Sequence, residues 1–483
     1  MAVKHGVRST LLCLALGVLL QRLLQLATFL CIGRALGVDR LGVYAQGIAL
    51  GGLLAVLAGT GVRNLLARAI AQDPNAARSL VLGAVRARLA LGSGLGSLAV
   101  GSAFLFAGQP WFWTLCVLQV LPCAFDLKNL LDVAGRTRTE VVLDTTAALL
   151  HLALVLLWIA AGGGELSTLA AIALGSKCVY AAGAVVTIRQ LPSGSPARSR
   201  LPLRQRLGVA IGQTPHEVMV AGDVWIVALC LGNSAAGLYA VAARLAAAAL
   251  LPSTQLARLL LPHLLHASRD GDAGRTLGTA LRATLLVTLP MLAGGAAVAA
   301  RLCGLSGPQF SPAGITLVVL LCAGSLQHLG WQCSNALLAA GRDAAYARGL
   351  GWPSVLHLAS LAAAAFALTG KAASSHWQPP LAAALAGACA VLAHAAYAID
   401  GLHATRHLRP EPLRLRVGGP VFVAAATGIF AALPHLCGDV AFVLPLQLAS
   451  GAIAFMAGLW LVELRGRVAR LGDGLASASG FRA

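Results

Sequence analysis

The sequence predicts an all-α polytopic membrane protein with about fourteen transmembrane helices, built as two pseudo-twofold six-helix lobes plus a C-terminal helix pair. Composition, the placement of basic residues and an internal repeat carry that expectation. Of 483 residues, 58% are hydrophobic and only 11% are charged, and the mean hydropathy is +0.80. Soluble domains do not have this balance.

Spanning a hydrocarbon core of roughly 30 Å takes about 20 mainly apolar residues. The first lobe supplies them at 7–33, 42–67, 80–107, 110–131, 139–162 and 166–188. The second follows at 207–232, 236–262, 277–303, 312–339, 344–369 and 377–402, and the extra pair at 418–436 and 440–463. The first run follows Lys4 and Arg8 but exceeds the apolar core of a signal peptide, so it reads as an uncleaved helix.

The net charge of +19 is set by topology rather than by nucleic acid. On this helix map 29 of the 36 Lys and Arg residues fall on the side of the N-terminus, against four on the other (Arg34, Arg40, Arg301, Lys371) and three mid-span (Arg22, Lys177, Arg244). An excess of that sign on short loops marks the cytoplasmic face, which places both termini in the cytoplasm. The expected partners are therefore membrane lipids and not nucleic acid.

The longest polar connection, Arg189 to Arg206, carries Pro192, Pro196, Pro202, three serines and five arginines. It divides the chain into a lobe at 1–190, a cytoplasmic linker at 191–206, a lobe at 207–403, and two helices with a cytoplasmic tail at 404–483. The pattern Leu-Gly-x4-Gly-x-Tyr-Ala occurs at Leu36, Gly37, Gly42, Tyr44, Ala45 and again, 195 residues on, at Leu231, Gly232, Gly237, Tyr239, Ala240. A second pair at an offset of 206 matches Asn129, Gly135, Arg136 and Leu150-His151-Leu152-Ala153 to Asn335, Gly341, Arg342 and Leu356-His357-Leu358-Ala359. Each copy holds an even number of helices, so both enter the membrane from one side and the axis relating them lies along the membrane normal.

Gly33-Arg34-Ala35-Leu36-Gly37-x4-Gly42-x-Tyr44-Ala45 after helix one, with Asp223 and Leu231-Gly232-x4-Gly237-x-Tyr239-Ala240 after helix seven, resembles the polysaccharide-export, O-antigen type flippases. These belong to the multidrug, oligosaccharidyl-lipid and polysaccharide exporter superfamily, and hydropathy extends the match over about 400 residues. The resemblance implies a bacterial inner-membrane flippase that moves an undecaprenyl-diphosphate-linked oligosaccharide from the cytoplasmic to the outer leaflet by alternating access. It also implies a role in polysaccharide export, with a polysaccharide polymerase as a candidate partner.

Charged residues at membrane depth are costly and face a cavity or a partner. Arg22, with Gln21 and Gln25 beside it, is expected to face the central cavity, where a guanidinium suits a diphosphate through bidentate hydrogen bonds. Its counterpart at the 195 offset is Glu217, flanked by His216 and Asp223. Glu217 or Asp223 then serves as a proton- or cation-responsive site; the competing reading is a static Arg22–Glu217 salt bridge. Arg63 and its counterpart Arg258 form either a basic mouth for the anionic headgroup or positive-inside anchors. Lys177 reaches the cavity, snorkels, or pairs with Asp144. His151 and His357 read as shared packing, Asp126 and Lys128 as structural, and Tyr44, Tyr239, Trp111 and Trp113 as an aromatic belt.

Eleven cysteines without a CxxC pair, the lack of a His/Cys cluster at metal-ligand spacing, and the lack of a Walker A pattern predict no metal, no cofactor and no direct ATP drive. The outer loops are too short and poor in titratable groups for an enzyme acting on lipid-linked sugars. Two transport alternatives remain. A cation-coupled multidrug exporter of the same superfamily resembles its relatives in an acid on helix one, where this chain has Arg22. A peptidoglycan-precursor flippase also has fourteen helices but tends to carry several cavity arginines.

Overall fold

The computed structural model describes residues 2–59, 66, 70, 74–106, 108–126, 136–193, 203–269, 272–371, 379–408, 418–432 and 443–478. Among them every regular element is helical, which satisfies each backbone N–H and C=O within its own segment, as a hydrocarbon environment demands. The helix Ala2–Gly59 is broken by the backbone of Gly37, at φ 74° and ψ −179°. Only glycine adopts that conformation readily. We label the two arms α1 (2–36) and α2 (38–59). The expected loop before residue 42 is thus a single-residue kink.

The first set continues with α3 (Ala77–Phe106), α4 (Pro110–Leu118 extended by Val120–Cys123), α5 (Thr137–Ala160) and α6 (Leu166–Arg189). The second set begins with α7 (Leu203–Leu231) and α8, whose segments Asn233–Ala249 and Leu251–Arg269 are bent by 51°. It continues with α9 (Ala273–Gly304), α10 (Gly314–Ala339), α11 (Asp343–Lys371) and α12 (Pro379–Ala404). Last come α13 (Gly418–Ala432) and α14 (Val443–Ala478). Among the described residues this makes fourteen helices. Eight stretches among them are long and apolar enough to cross a membrane, one being Gly17–Gly59 with its kink at Gly37, and the bent pair of α8 makes a ninth.

Helix packing repeats between the sets. Gly17 of α1 lies against Val141 of α5, and α7 packs on α11. Likewise α3 meets α4 as α9 meets α10, and α4 meets α6 as α10 meets α12. The helices α13 and α14 pack on each other and on α9; Arg301 of α9 donates to Gln447 of α14 at 3.0 Å. The main core draws Tyr44, Phe112 and Trp158 from the first set together with Tyr239, Phe310 and Leu321 from the second. Large apolar side chains on the outer surface stay uncovered, Phe366 at 82% exposure and Leu98 at 76%. Without water to drive apolar groups inward, small residues that let backbones approach govern such packing.

Candidate functional site

The residues that join the two six-helix sets come from the repeated motif. Gly232, at φ 90° and ψ 169°, kinks α7 into α8 as Gly37 kinks α1 into α2. The kinks bring equivalent residues of the two copies together. Gly42 lies against Gly237, and the Ser234 hydroxyl donates to the Asp39 carboxylate, a pair also 195 residues apart. Arg40 beside them donates to the Gly164 carbonyl in the α5–α6 connection.

Tyr44 and Tyr239 are buried at 4% and 2% exposure, which corrects the aromatic-belt expectation for both. The motif turns them toward the junction between the sets. Trp111, 67% exposed, fits a surface belt position.

Behind this junction lies a charged group. Asp223 of α7 accepts hydrogen bonds from the Tyr239 hydroxyl at 3.2 Å and from the Val224 N–H at 2.6 Å. Arg244 of α8 is within electrostatic range of Asp223 and Tyr44, and its guanidinium sits 5.5 Å from the centre of the Phe29 ring on α1. Arg244 was legible as a mid-span cation, yet only the α1–α8 contact shows that it stands between the sets.

Arg22 and Gln25 are exposed on α1, one turn apart, and Arg22 donates to Gln25 Oε1 at 3.3 Å. Gln21 beside them is buried, so this stretch of α1 has one packed and one open face. Lys177 follows the buried stripe of α6, one turn from Ala173 and Ala181, within electrostatic range of Cys116 on α4 and His151 on α5. Lys177 and Arg22 lie on different helices, α6 and α1. Glu217 and Arg258 lie on α7 and α8, but their side chains, and all of Arg63 and Lys128, are outside the described residues.

Two further polar sets were legible in the sequence only in part, His216 and His357 being named there but Arg88, His328 and His394 not. Arg88 of α3, 4% exposed, donates to the Asp126 carbonyl at 2.9 Å and the Ala124 carbonyl at 3.5 Å, closing the end of α4. His394 of α12 is within electrostatic range of His216 on α7, His328 on α10 and His357 on α11. Among the described residues no group of three or more His, Cys, Asp and Glu side chains is arranged to hold a metal ion.

The fold is that of the multi-helix transporters of the MOP superfamily. The lipid II flippase MurJ in its inward closed conformation superposes with a TM-score of 0.67 at 12% identity, covering 93% of this chain and 98% of that one. An inward-facing multidrug resistance MATE family transporter gives a TM-score of 0.64 at 14% identity, with coverages of 80% and 94%. A MOP superfamily transporter from Pyrococcus furiosus, described as having a binding pocket of reversed polarity, gives 0.60 at 15%, with coverages of 83% and 95%. No family model matches the chain, and no curated protein matches it in sequence.

Proposed function

We propose that this protein is a flippase that carries an undecaprenyl-diphosphate-linked oligosaccharide from the cytoplasmic to the outer leaflet for polysaccharide export. The moving bodies are the lobes at 1–190 and 207–403, joined by the linker at 191–206, with 404–483 as an appendage to the second. The termini lie in the cytoplasm and the Gly37 and Gly232 kinks lie at the outer end.

The observation that carries the lipid-linked reading is the chemistry of helix one. It has no acid, and its mid-span polar group is an exposed Arg22 with Gln25. An exposed guanidinium paired with an amide suits a diphosphate and repels a cationic drug. The extra α13–α14 pair is in keeping with this, since the superposition on the lipid II flippase spans more of the chain than that on the MATE transporter. Lys177, Arg63 and Arg258 supply further positive charge for the headgroup, and Glu217 and Asp223 of α7 respond to a coupling ion.

Deleting the gene in its host and measuring lipid-linked oligosaccharide alongside surface polymer tests the reading. A complete lipid-linked repeat unit should accumulate while surface polymer disappears. Normal polymer without such an intermediate refutes it. The likeness to the lipid II flippase favours one second reading, a peptidoglycan-precursor cargo. Accumulation of undecaprenyl-diphosphate muropeptide instead of a polysaccharide repeat unit would establish that reading.

A further inference from the structure

We propose that the second six-helix set holds a binding site for an alkali-metal cation among oxygen atoms of α8, α9 and α10, at the bend of α8. The site is separate from Asp223 and Glu217, and the inference rests on the transporter fold rather than on the identity of the cargo. Four contacts fix how the three helices meet. Leu250, at the bend, lies against Gly324 of α10, and one turn further on Thr254 meets His328 at 3.1 Å, so α8 and α10 run in parallel register. Gln332 of α10 donates to the Thr284 hydroxyl of α9 at 3.1 Å while Leu321 lies against Gly295, so α10 and α9 run in antiparallel register. That register sets Thr288 opposite His328.

The hydrogen bonds among these side chains use the N–H groups and leave oxygens over. The Thr284 hydroxyl gives its hydrogen to the Ala280 carbonyl at 2.9 Å, so it accepts from Gln332 Nε2 and turns the amide Oε1 away from itself. Both nitrogens of His328 are used. Its Nδ1 lies 2.7 Å from the Gly324 carbonyl, which only accepts, so Nδ1 carries the hydrogen and Nε2 accepts from the Thr254 hydroxyl. What remains is Gln332 Oε1, Thr288 Oγ1 and Ser253 Oγ, each buried with no hydrogen-bond partner on a side chain that is 0% exposed. Three such oxygens from three adjoining helices are costly to bury unless a positive charge satisfies them together.

The break in α8 adds backbone oxygen to the set. Pro252 has no N–H to give the Ala248 carbonyl, and the Ser253 N–H goes to the Leu250 carbonyl at 3.1 Å, three residues back instead of four. The negative end of the first arm's dipole thus falls at the bend. Interrupted membrane helices hold alkali cations with unwound carbonyls and half-helix ends of this kind. The segments 233–269, 273–304 and 314–339 contain no Asp or Glu, which suits a monovalent cation and not a divalent one that asks for carboxylates. Described basic groups on these helices turn elsewhere, Arg244 to Phe29, Arg275 to Asp272, Arg282 to Gly419 of α13 and Arg301 to Gln447.

The first set holds a positive charge at the equivalent place. Arg86-Ala87-Arg88-Leu89 of α3 recurs 196 residues on as Arg282-Ala283-Thr284-Leu285 of α9, and Asp126 falls on Gln332 at the 206 offset. The Thr284–Gln332 contact is therefore the counterpart of the Arg88–Asp126 contact, where a buried guanidinium donates to backbone carbonyls at 2.9 and 3.5 Å. One half sets a fixed cation against oxygen atoms; the other puts a threonine there and leaves oxygens for an exchangeable one. A cation at this point ties the second arm of α8 to α9 and α10, while the first arm carries Ser234 and Gly237 to the junction between the sets. Its binding holds the angle between those two arms.

The test is thermal unfolding of the full-length protein in lipid nanodiscs, without cargo, in sodium, potassium or choline chloride at one ionic strength. A cation that binds only the folded state stabilises it, so sodium or potassium should raise the unfolding temperature above that in choline. Thr288→Val exchanges an unpaired hydroxyl for a methyl of the same shape and should fold while losing at least half of that rise. Asp223→Asn should keep the rise in full. No difference from choline in the unaltered protein means that the three oxygens hold water only, and overturns the proposal. So does a full rise in Thr288→Val, or a rise lost in Asp223→Asn and kept in Thr288→Val, which would put the ion at Asp223. Should Thr288→Val not fold, Ser253→Ala is read in its place against the same outcomes. Every arm is read without cargo, so the result stands apart from success or failure of the flippase reading.

Discussion

Gly42 and Gly237, equivalent residues of the two repeats, stand backbone to backbone. A methyl group on Gly42 would fall inside the Asn233 carbonyl and 3.1 Å from the Gly237 nitrogen; one on Gly237 would fall inside the Val38 carbonyl and 3.2 Å from the Gly42 nitrogen. Mutual contact of equivalent residues places the pseudo-twofold axis between them. Neither side has room for a single carbon.

Gly42→Ala and Gly237→Ala should each destabilise the protein by about 1–3 kcal/mol, because backbone rather than a flexible side chain must give way. Gly83→Ala is the control, since nothing lies within 4 Å of a Cβ there. Thermal unfolding of the purified protein should fall for the first two and stay level or rise for the third.

The Asp39–Ser234 contact should be a gate that opens and closes. With both residues changed to cysteine in a background lacking the native thiols, oxidation should consume both thiols and stop export, and a reductant should restore both. Export that continues with the pair oxidised would show that this end of the molecule does not part during transport.

Tyr239→Phe removes one of the donors that Asp223 uses. Leaving a buried acceptor short of a partner costs about 1–3 kcal/mol, so the variant should lose stability while Asp223→Asn, which still accepts from the Tyr239 hydroxyl, loses less. Unfolding temperatures of the two variants compare them directly. Export by Asp223→Asn separates an ion-responsive carboxylate from one that only packs.

Arg22 is exposed, so Arg22→Ala should insert and fold normally while export falls at least tenfold, with Arg22→Lys intermediate because an ammonium lacks the planar fork. Normal export by a stably inserted Arg22→Ala protein would remove Arg22 from the binding site. Phe29→Leu, which takes away the ring beneath Arg244, should cost only about 0.5–1 kcal/mol of stability.

The helices and the repeat were legible because apolar runs and fixed offsets are properties of the chain alone. Gly37 and Gly232 were visible as motif glycines, but an apolar scan cannot tell a one-residue kink from a short loop. Tyr44 and Tyr239 misled for a related reason: near a helix end a tyrosine suits the membrane surface, and only contact between the two copies buries it. Arg88 lies among basic residues at one end of α3, where the positional rule accounts for it, although it closes the end of α4. The four histidines are spread over 179 positions, from 216 to 394, and no local pattern joins them.

While the Asp39–Ser234 contact is closed, the touching glycines also fix the mechanics. At 1.5 Å per residue, α1 is a rod of about 50 Å whose one end is pinned where the two copies meet. About that fulcrum, a tilt of roughly 10° swings the opposite end through about 9 Å while the pinned end scarcely shifts. The leverage is all on one side. For the proposed cargo, that opening needs a rotation too small to break any helix.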